Sequence, residues 1–132
     1  MLSGTCHCGR ASWTLAPLPT STTACNCTIC RRYGALWAYG HINHSIRASG
    51  PTTTYTRASE GDIDFHFCPT CGCLTHYVGH DADDDGRYWT AVNLRMTDDP
   101  APIAALPVTH FDGHDSFARL PADTRTLRDM WF

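Results

Sequence analysis

Hydrophobic and polar positions alternate in short runs along most of this chain. Ala11, Trp13 and Leu15 alternate with Ser12 and Thr14, a period of two that predicts a half-buried strand. Pro17-Leu18-Pro19 ends it, and Thr20 to Ala24 is a short, polar, β-prone run. Leu36 to Ile42 is aromatic and strand-like, Thr52 to Thr56 is strongly β-prone, and Ile63 to Phe67 alternates again. Leu74 to Val78 and Tyr88 to Leu94 complete the predicted strands. Turn residues separate them at Ser49-Gly50-Pro51 and Glu60-Gly61-Asp62. The acidic stretch His80 to Gly86 is read as a solvated turn. It is not a calcium loop of the EF-hand kind, because it lacks the distal glutamate and no helical pattern flanks it.

Helix signals are few. Arg31 to Ala35 predicts one helical turn stopped by Gly34, and three prolines hold Asp98 to Pro107 to a single turn at most. The tail predicts a helix from Ala122 onward, with Leu127, Met130 and Trp131 at i, i+3 and i+4. The expected fold class is mainly β with little helix. At 132 residues the chain has length for one core and not comfortably for two.

Charge narrows the partners. The net charge is −3, and all ten basic residues are arginine, scattered except for the Arg31-Arg32 pair. A nucleic-acid binder would carry a basic stripe, so no nucleic-acid partner is expected. No apolar run reaches the length of a membrane span, and no membrane partner is expected either. Met1-Leu2-Ser3-Gly4 leads straight into the first cysteine pair, so no signal peptide is expected. The expected compartment is the cytoplasm, where thiols stay reduced, so eight cysteines argue for metal rather than disulfides.

The cysteines fall in three groups: Cys6-His7-Cys8-Gly9, Cys25-Asn26-Cys27-Thr28-Ile29-Cys30 and Cys68-Pro69-Thr70-Cys71-Gly72-Cys73. Strand packing does not call for such spacing, whereas a thiophilic metal needs several sulfurs aimed at one point. Two knuckles from distant segments supply four thiolates to a tetrahedral zinc, and the outer groups are expected to close one such structural site. Cys25, Cys27 and Cys30 are expected to hold a second zinc. Its fourth ligand is open between Cys73, a histidine such as His66 or His76, water and a substrate thiol. Three thiolates make a zinc a weak Lewis acid for water and suit it better to keeping a thiol deprotonated.

These motifs, with Trp37-Ala38-Tyr39, Val92-Asn93-Leu94-Arg95 and Phe111-Asp112-Gly113, resemble the glutathione-dependent formaldehyde-activating family, also called the centromere protein V/GFA domain. The resemblance runs over about residues 3–115, leaving 116–132 as a tail of one domain spanning 1–132. It implies a zinc-stapled, twisted β-sandwich-like fold known as a β-tent, with two zinc ions. It matches Cys6, Cys8, Cys68 and Cys71 to the structural ligands, and Cys25, Cys27 and Cys30 to the second, catalytic zinc. The activity implied is that of a carbon–sulfur lyase of the S-(hydroxymethyl)glutathione synthase type, joining a glutathione-like thiol to a small carbonyl such as formaldehyde. Arg31, Arg32 and Arg95 are then candidates to pair with substrate carboxylates, and Trp37, Tyr39, His76 and Asn93 to line the pocket. The alternative is a non-catalytic two-zinc module that binds a protein partner through Leu127, Met130, Trp131 and Phe132. The same tail makes a homodimer an expectation.

Overall fold

The computed structural model describes residues 1–58 and 61–130. Among the described residues, eleven short strands form two sheets. The smaller sheet pairs β1 (Leu2–Thr5), β2 (Ser12–Leu15) and β5 (Ile46–Ser49), all antiparallel. The larger contains β3 (Thr22–Cys25), β4 (Trp37–His41), β6 (Thr53–Thr56), β7 (Ile63–Phe67), β8 (Leu74–Ala82), β9 (Tyr88–Asn93), β10 (Val108–Asp112) and β11 (Ala118–Arg119). Its order is β11-β10-β3-β4-β9-β8-β7-β6. One pair departs from the antiparallel rule: β10 runs parallel to β3, with Phe111 beside Cys25.

The two faces of the large sheet do different work, because successive side chains on a strand point to opposite sides. Ala38 on β4 and Val92 on β9 face the small sheet. There they join Leu2, Trp13, Leu15 and Ile46 in the main core. Trp13 is 1% exposed, and its ring lies against Gly4, where an added Cβ would stand 2.4 Å from Cζ2. On the other face Trp37, Phe65, Ala91 and the partly buried Tyr77 form a second cluster that includes Cys30. Trp37 meets Tyr77 edge-on at 5.0 Å between ring centroids and Phe65 at 6.3 Å.

The fold class is mainly β with little helix, as the alternating pattern predicts. The helical turn expected after Cys30 is α1 (Cys30–Tyr33), stopped by Gly34 at φ 61°. The turn allowed between the prolines is a 3-10 turn at Ala101–Ile103. The acidic turn is shorter than expected because β8 continues through Ala82, and Asp83 accepts backbone N–H bonds from Asp85 and Arg87 to close it. The tail differs from its expected helix. Among the described residues of the tail, Leu127–Met130 alone is helical, as a 3-10 turn, while Asp123 and Asp129 cap local turns through their carboxylates. Such side-chain bonds to nearby backbone compete with helix formation. Leu127 is 0% exposed and joins the chain's own core, with its N–H donated to Leu106 O at 2.8 Å. Trp131 and Phe132 lie outside the described residues.

Candidate metal centres and substrate cavity

Two tight turns bring the outer cysteines together. Gly9 and Gly72 directly follow Cys8 and Cys71 and hold φ at 78° and 72°, a region open to glycine at no steric cost. Each turn closes with a backbone bond, Gly9 N–H to Cys6 O at 2.8 Å and Gly72 N–H to Cys68 O at 2.9 Å. The result is a group of four thiols, Cys6, Cys8, Cys68 and Cys71, whose sulfurs all lie within 4.8 Å of one another. Cys8 Sγ stands 3.6 Å from both Cys6 Sγ and Cys68 Sγ. Sulfurs arranged tetrahedrally at about 2.3 Å from one ion lie about 3.8 Å apart, so this donor set fits a thiophilic divalent metal. Ala11 N–H donates to Cys6 Sγ at 3.2 Å, and backbone N–H groups of Cys73 and Cys8 hold the Cys71 thiol down to about 5. Such N–H donors favour the thiolate that a metal requires.

The second group is Cys25, Cys27 and Cys30. Cys25 ends β3, Cys30 begins α1, and Cys27 sits on the turn between them. Each sulfur receives an N–H. Cys27 N–H donates to Cys25 Sγ at 3.4 Å, Cys30 N–H to Cys27 Sγ at 3.4 Å, and Trp37 Nε1–H to Cys30 Sγ at 3.4 Å. The Cys25 thiol is held down to about 6, chiefly by its hydrogen bond with Cys30 and then by the N–H groups of Cys27 and Gly113. Cys30 is pushed up by the same bond and by its burial. Three converging sulfurs, each already accepting an N–H, fit a thiophilic cation. Among the described residues, no fourth cysteine, histidine or carboxylate side chain joins the three.

The parallel strand β10 completes the wall. It delivers Gly113 so close that an added Cβ would stand 2.7 Å from Cys25 Sγ and 3.0 Å from Cys27 Cβ. Asn26, between the first two cysteines, ties this loop down. Its Nδ2–H donates to Asp112 Oδ1 at 2.9 Å, and its Oδ1 accepts from His114 N–H at 3.0 Å. Asp112 also accepts from Asp115 N–H, Ser116 N–H and Ser116 Oγ–H. These bonds hold its carboxyl well below the usual carboxylate range, the Asn26 bond foremost.

The three cysteines open onto a cavity of about 320 Å³. Trp37, Phe65 and Tyr77 line it from the sheet face, and Tyr39, Trp89 and Phe117 lie toward solvent. Arg57 and Asp62 are its charged lining residues among those described. Burial keeps the Tyr77 phenol well above its ordinary range, so it stays a neutral hydroxyl. A second, shallower cleft of about 370 Å³ adjoins it through Ile29 and Arg57 and is lined also by Arg32 and Tyr55.

The residues singled out in the sequence separate into two sets. Trp37 and Tyr39 line the cavity, and Arg32 lines the adjoining cleft while its Nη1–H donates to Thr28 O at 2.6 Å. Arg31 is exposed on α1 and lines neither space. His76, Asn93 and Arg95 also lie away from both. His76 points to the opposite face from its neighbour Tyr77, bonds Thr75 Oγ1 at 2.7 Å and stacks on His66 at 4.3 Å. Asn93 is a backbone pin. It donates to Leu74 O at 3.0 Å and accepts from Leu36 N–H and Arg95 N–H. Arg95 donates to Gly34 O and holds the end of α1. Cys73, His66 and His76, the protein candidates for a fourth ligand, join neither sulfur group. No motif marks Arg57, Asp62, Tyr77, Trp89 or Phe117 for the site. Tyr77 and Trp89 carry a signal in the sequence, as aromatics on predicted strands.

Fold and site together define a mainly-β protein with two cysteine groups able to hold metal, one of them facing an aromatic cavity. Residues 1–111 match the family model described as glutathione-dependent formaldehyde-activating enzyme, and the chain belongs to that family. A crystal structure of a Rhodobacter sphaeroides protein, solved as a structural-genomics target, is similar to it. The two share 26% sequence identity at a TM-score of 0.60, over 81% of this chain and 99% of that one. No curated protein sequence matches the chain. No helix among the described residues is long and apolar enough to cross a membrane.

Proposed function

We propose that this chain is a zinc-dependent carbon–sulfur lyase-like enzyme that adds a thiol to a small carbonyl and catalyses the reverse. The observation that carries the reading is the group Cys25, Cys27 and Cys30. It has no fourth protein side chain among the described residues and opens onto a cavity sized for a small ligand. Cys6, Cys8, Cys68 and Cys71 would hold one zinc as a staple, and the three central cysteines a second. Zinc at the central group, when bound, supplies the positive charge that keeps a neighbouring thiol deprotonated at neutral pH.

The chain's own residues do the rest. Trp37 Nε1–H and the N–H groups of Cys27 and Cys30 fix the sulfur cage, so that its geometry needs little adjustment during reaction. Arg32 and Arg57, on the adjoining cleft, pair with the carboxylates of a glutathione-like thiol. Trp37, Phe65 and Tyr77 give the reacting groups an apolar wall on the sheet side. Tyr77, neutral at working pH, is the donor we assign to the carbonyl oxygen. The chemistry balances without a redox partner. The thiol sulfur bonds to the carbonyl carbon, the carbonyl π pair moves to oxygen, and that oxygen takes up the proton the thiol gave up.

All eight cysteines are free, which suits the reducing cytoplasm we propose as its location. The alternative of a non-catalytic module depends on an available apolar tail, and the burial of Leu127 in the chain's own core weighs against it. The test is NMR exchange between free and adducted formaldehyde in the presence of glutathione. The zinc-loaded chain should raise the exchange rate, and Cys27→Ser should abolish that increase. An unchanged rate at high protein concentration removes this substrate pair.

A further inference from the structure

Formaldehyde has a single carbon, yet the cavity beside Cys25, Cys27 and Cys30 is about 320 Å³ and walled by aromatic rings. Three of those rings are exposed. Tyr39 and Trp89 are 39% and 47% exposed and stack on each other at 5.3 Å with 19° between their planes. Phe117 is 78% exposed and sets its ring edge-on to Phe111 at 5.1 Å. The Tyr39–Trp89 pair supports the sheet across β4 and β9 yet leaves ring surface open to the cavity, and burial does not account for Phe117, whose ring stays largely in water.

Phe117 carries a second sign. Its φ is 51°, in the left-handed region that bulky side chains seldom adopt. The Asp112 carboxylate holds the turn before it, accepting from the N–H groups of Asp115 and Ser116 and from the Ser116 hydroxyl. The turn thus maintains an unfavourable backbone geometry that keeps an exposed ring at the cavity rim. Backbone strain of this kind concentrates at ligand clamps.

Resting on the thiol-addition reading, we propose that the carbonyl substrate carries an aromatic substituent, and that Tyr39, Trp89 and Phe117 determine this specificity. The thiol approaches from the Arg32 and Arg57 cleft, and the carbonyl's ring occupies the aromatic cavity. Offset or edge-on contacts with these side chains then bury faces that the free protein leaves wet. The bond changes are those given above, with an aromatic aldehyde in place of formaldehyde.

The test separates this inference from the reading beneath it. Benzyl alcohol, an unreactive mimic, is titrated into the zinc-loaded chain and followed by saturation transfer to its ring protons. Thiol-dependent exchange is measured in parallel for benzaldehyde and formaldehyde. We expect benzyl alcohol to bind through its ring, and Trp89→Ala and Phe117→Ala each to weaken it by about tenfold. Phe117 is 78% exposed, so its variant should keep the wild-type melting curve, whereas Trp89→Ala loses the stacking on Tyr39 and is compared with the wild type at a temperature where both are folded. The acceleration over the uncatalysed exchange with glutathione should be greater for benzaldehyde than for formaldehyde in the wild type, and the two variants should lose that preference. If formaldehyde exchange is accelerated while benzyl alcohol does not bind, the aromatic specificity is wrong and the thiol-addition reading survives. If benzyl alcohol binds but neither aldehyde exchanges faster, both are wrong.

Discussion

Gly113→Ala should cripple the second metal site while sparing the first. Its added Cβ would stand 2.7 Å from Cys25 Sγ, where ordinary contact begins at 3.4 Å, so about 0.7 Å must be found. Metal–ligand distances tolerate about 0.2 Å, which makes a shift of Cys25 alone incompatible with coordination. The loop cannot easily retreat either, because Asn26 and Asp112 bind its two sides together. Displacing a supporting group around a metal typically lowers affinity by about 10–100-fold, and overpacking costs about 1–3 kcal/mol. The assay is competition between the protein and chelators of graded affinity, reading metal retained per chain, with a melting curve beside it. The expected result is one equivalent lost about 10–100-fold more readily and the other unchanged. Wild-type retention of both equivalents in Gly113→Ala would refute the packing argument.

Three further outcomes are expected. Cys71→Ser, or strong chelation, should abolish the cooperative melt. Structural zinc supplies about 10–16 kcal/mol in small domains, against a usual net stability of about 5–15 kcal/mol, and a variant retaining the wild-type β signal and melting point would contradict this. Trp37→Phe removes the N–H given to Cys30 Sγ and should lower retention at the central site by about tenfold, measured by the same competition. Acid should destabilise the fold through His76, whose buried ring is held down to about 3, by burial first and by His66 second. The unfolded chain takes up that proton near 6.5, so this contribution is complete above 6.5 and declines as pH falls towards 3. At pH 5 the loss is about 2 kcal/mol, and His76→Gln should remove it from the difference in denaturant stability between pH 7 and pH 5.

The sequence carried the cysteine groups and most of the sheet, because each is written locally. A knuckle is two sulfurs and a glycine within six residues, and β2, β4, β7 and β9 declare themselves by alternation or aromatic content. What was not legible is long-range. β1 and β5 are four-residue strands whose sequences, Leu-Ser-Gly-Thr and Ile-Arg-Ala-Ser, gain meaning only beside Trp13 and Leu15. The parallel pairing of β10 with β3 joins residues 86 apart, Cys25 and Phe111. It sets Gly113, whose Phe-Asp-Gly motif says nothing of this contact, against Cys25, and brings Phe117, which no motif marks, to the cavity. His76 and Asn93 show the converse. Both are polar residues on strands close to the site in sequence, yet the period of two turns His76 away from the cavity. Asn93 spends its amide on backbone at the end of β9.

Metal content per chain, measured for the wild type and for Cys27→Ser after identical dialysis, bears most directly on the two-centre account. Two zinc equivalents should fall to one, with the melting curve preserved. A single equivalent in the wild type, or loss of both together in the variant, would contradict it.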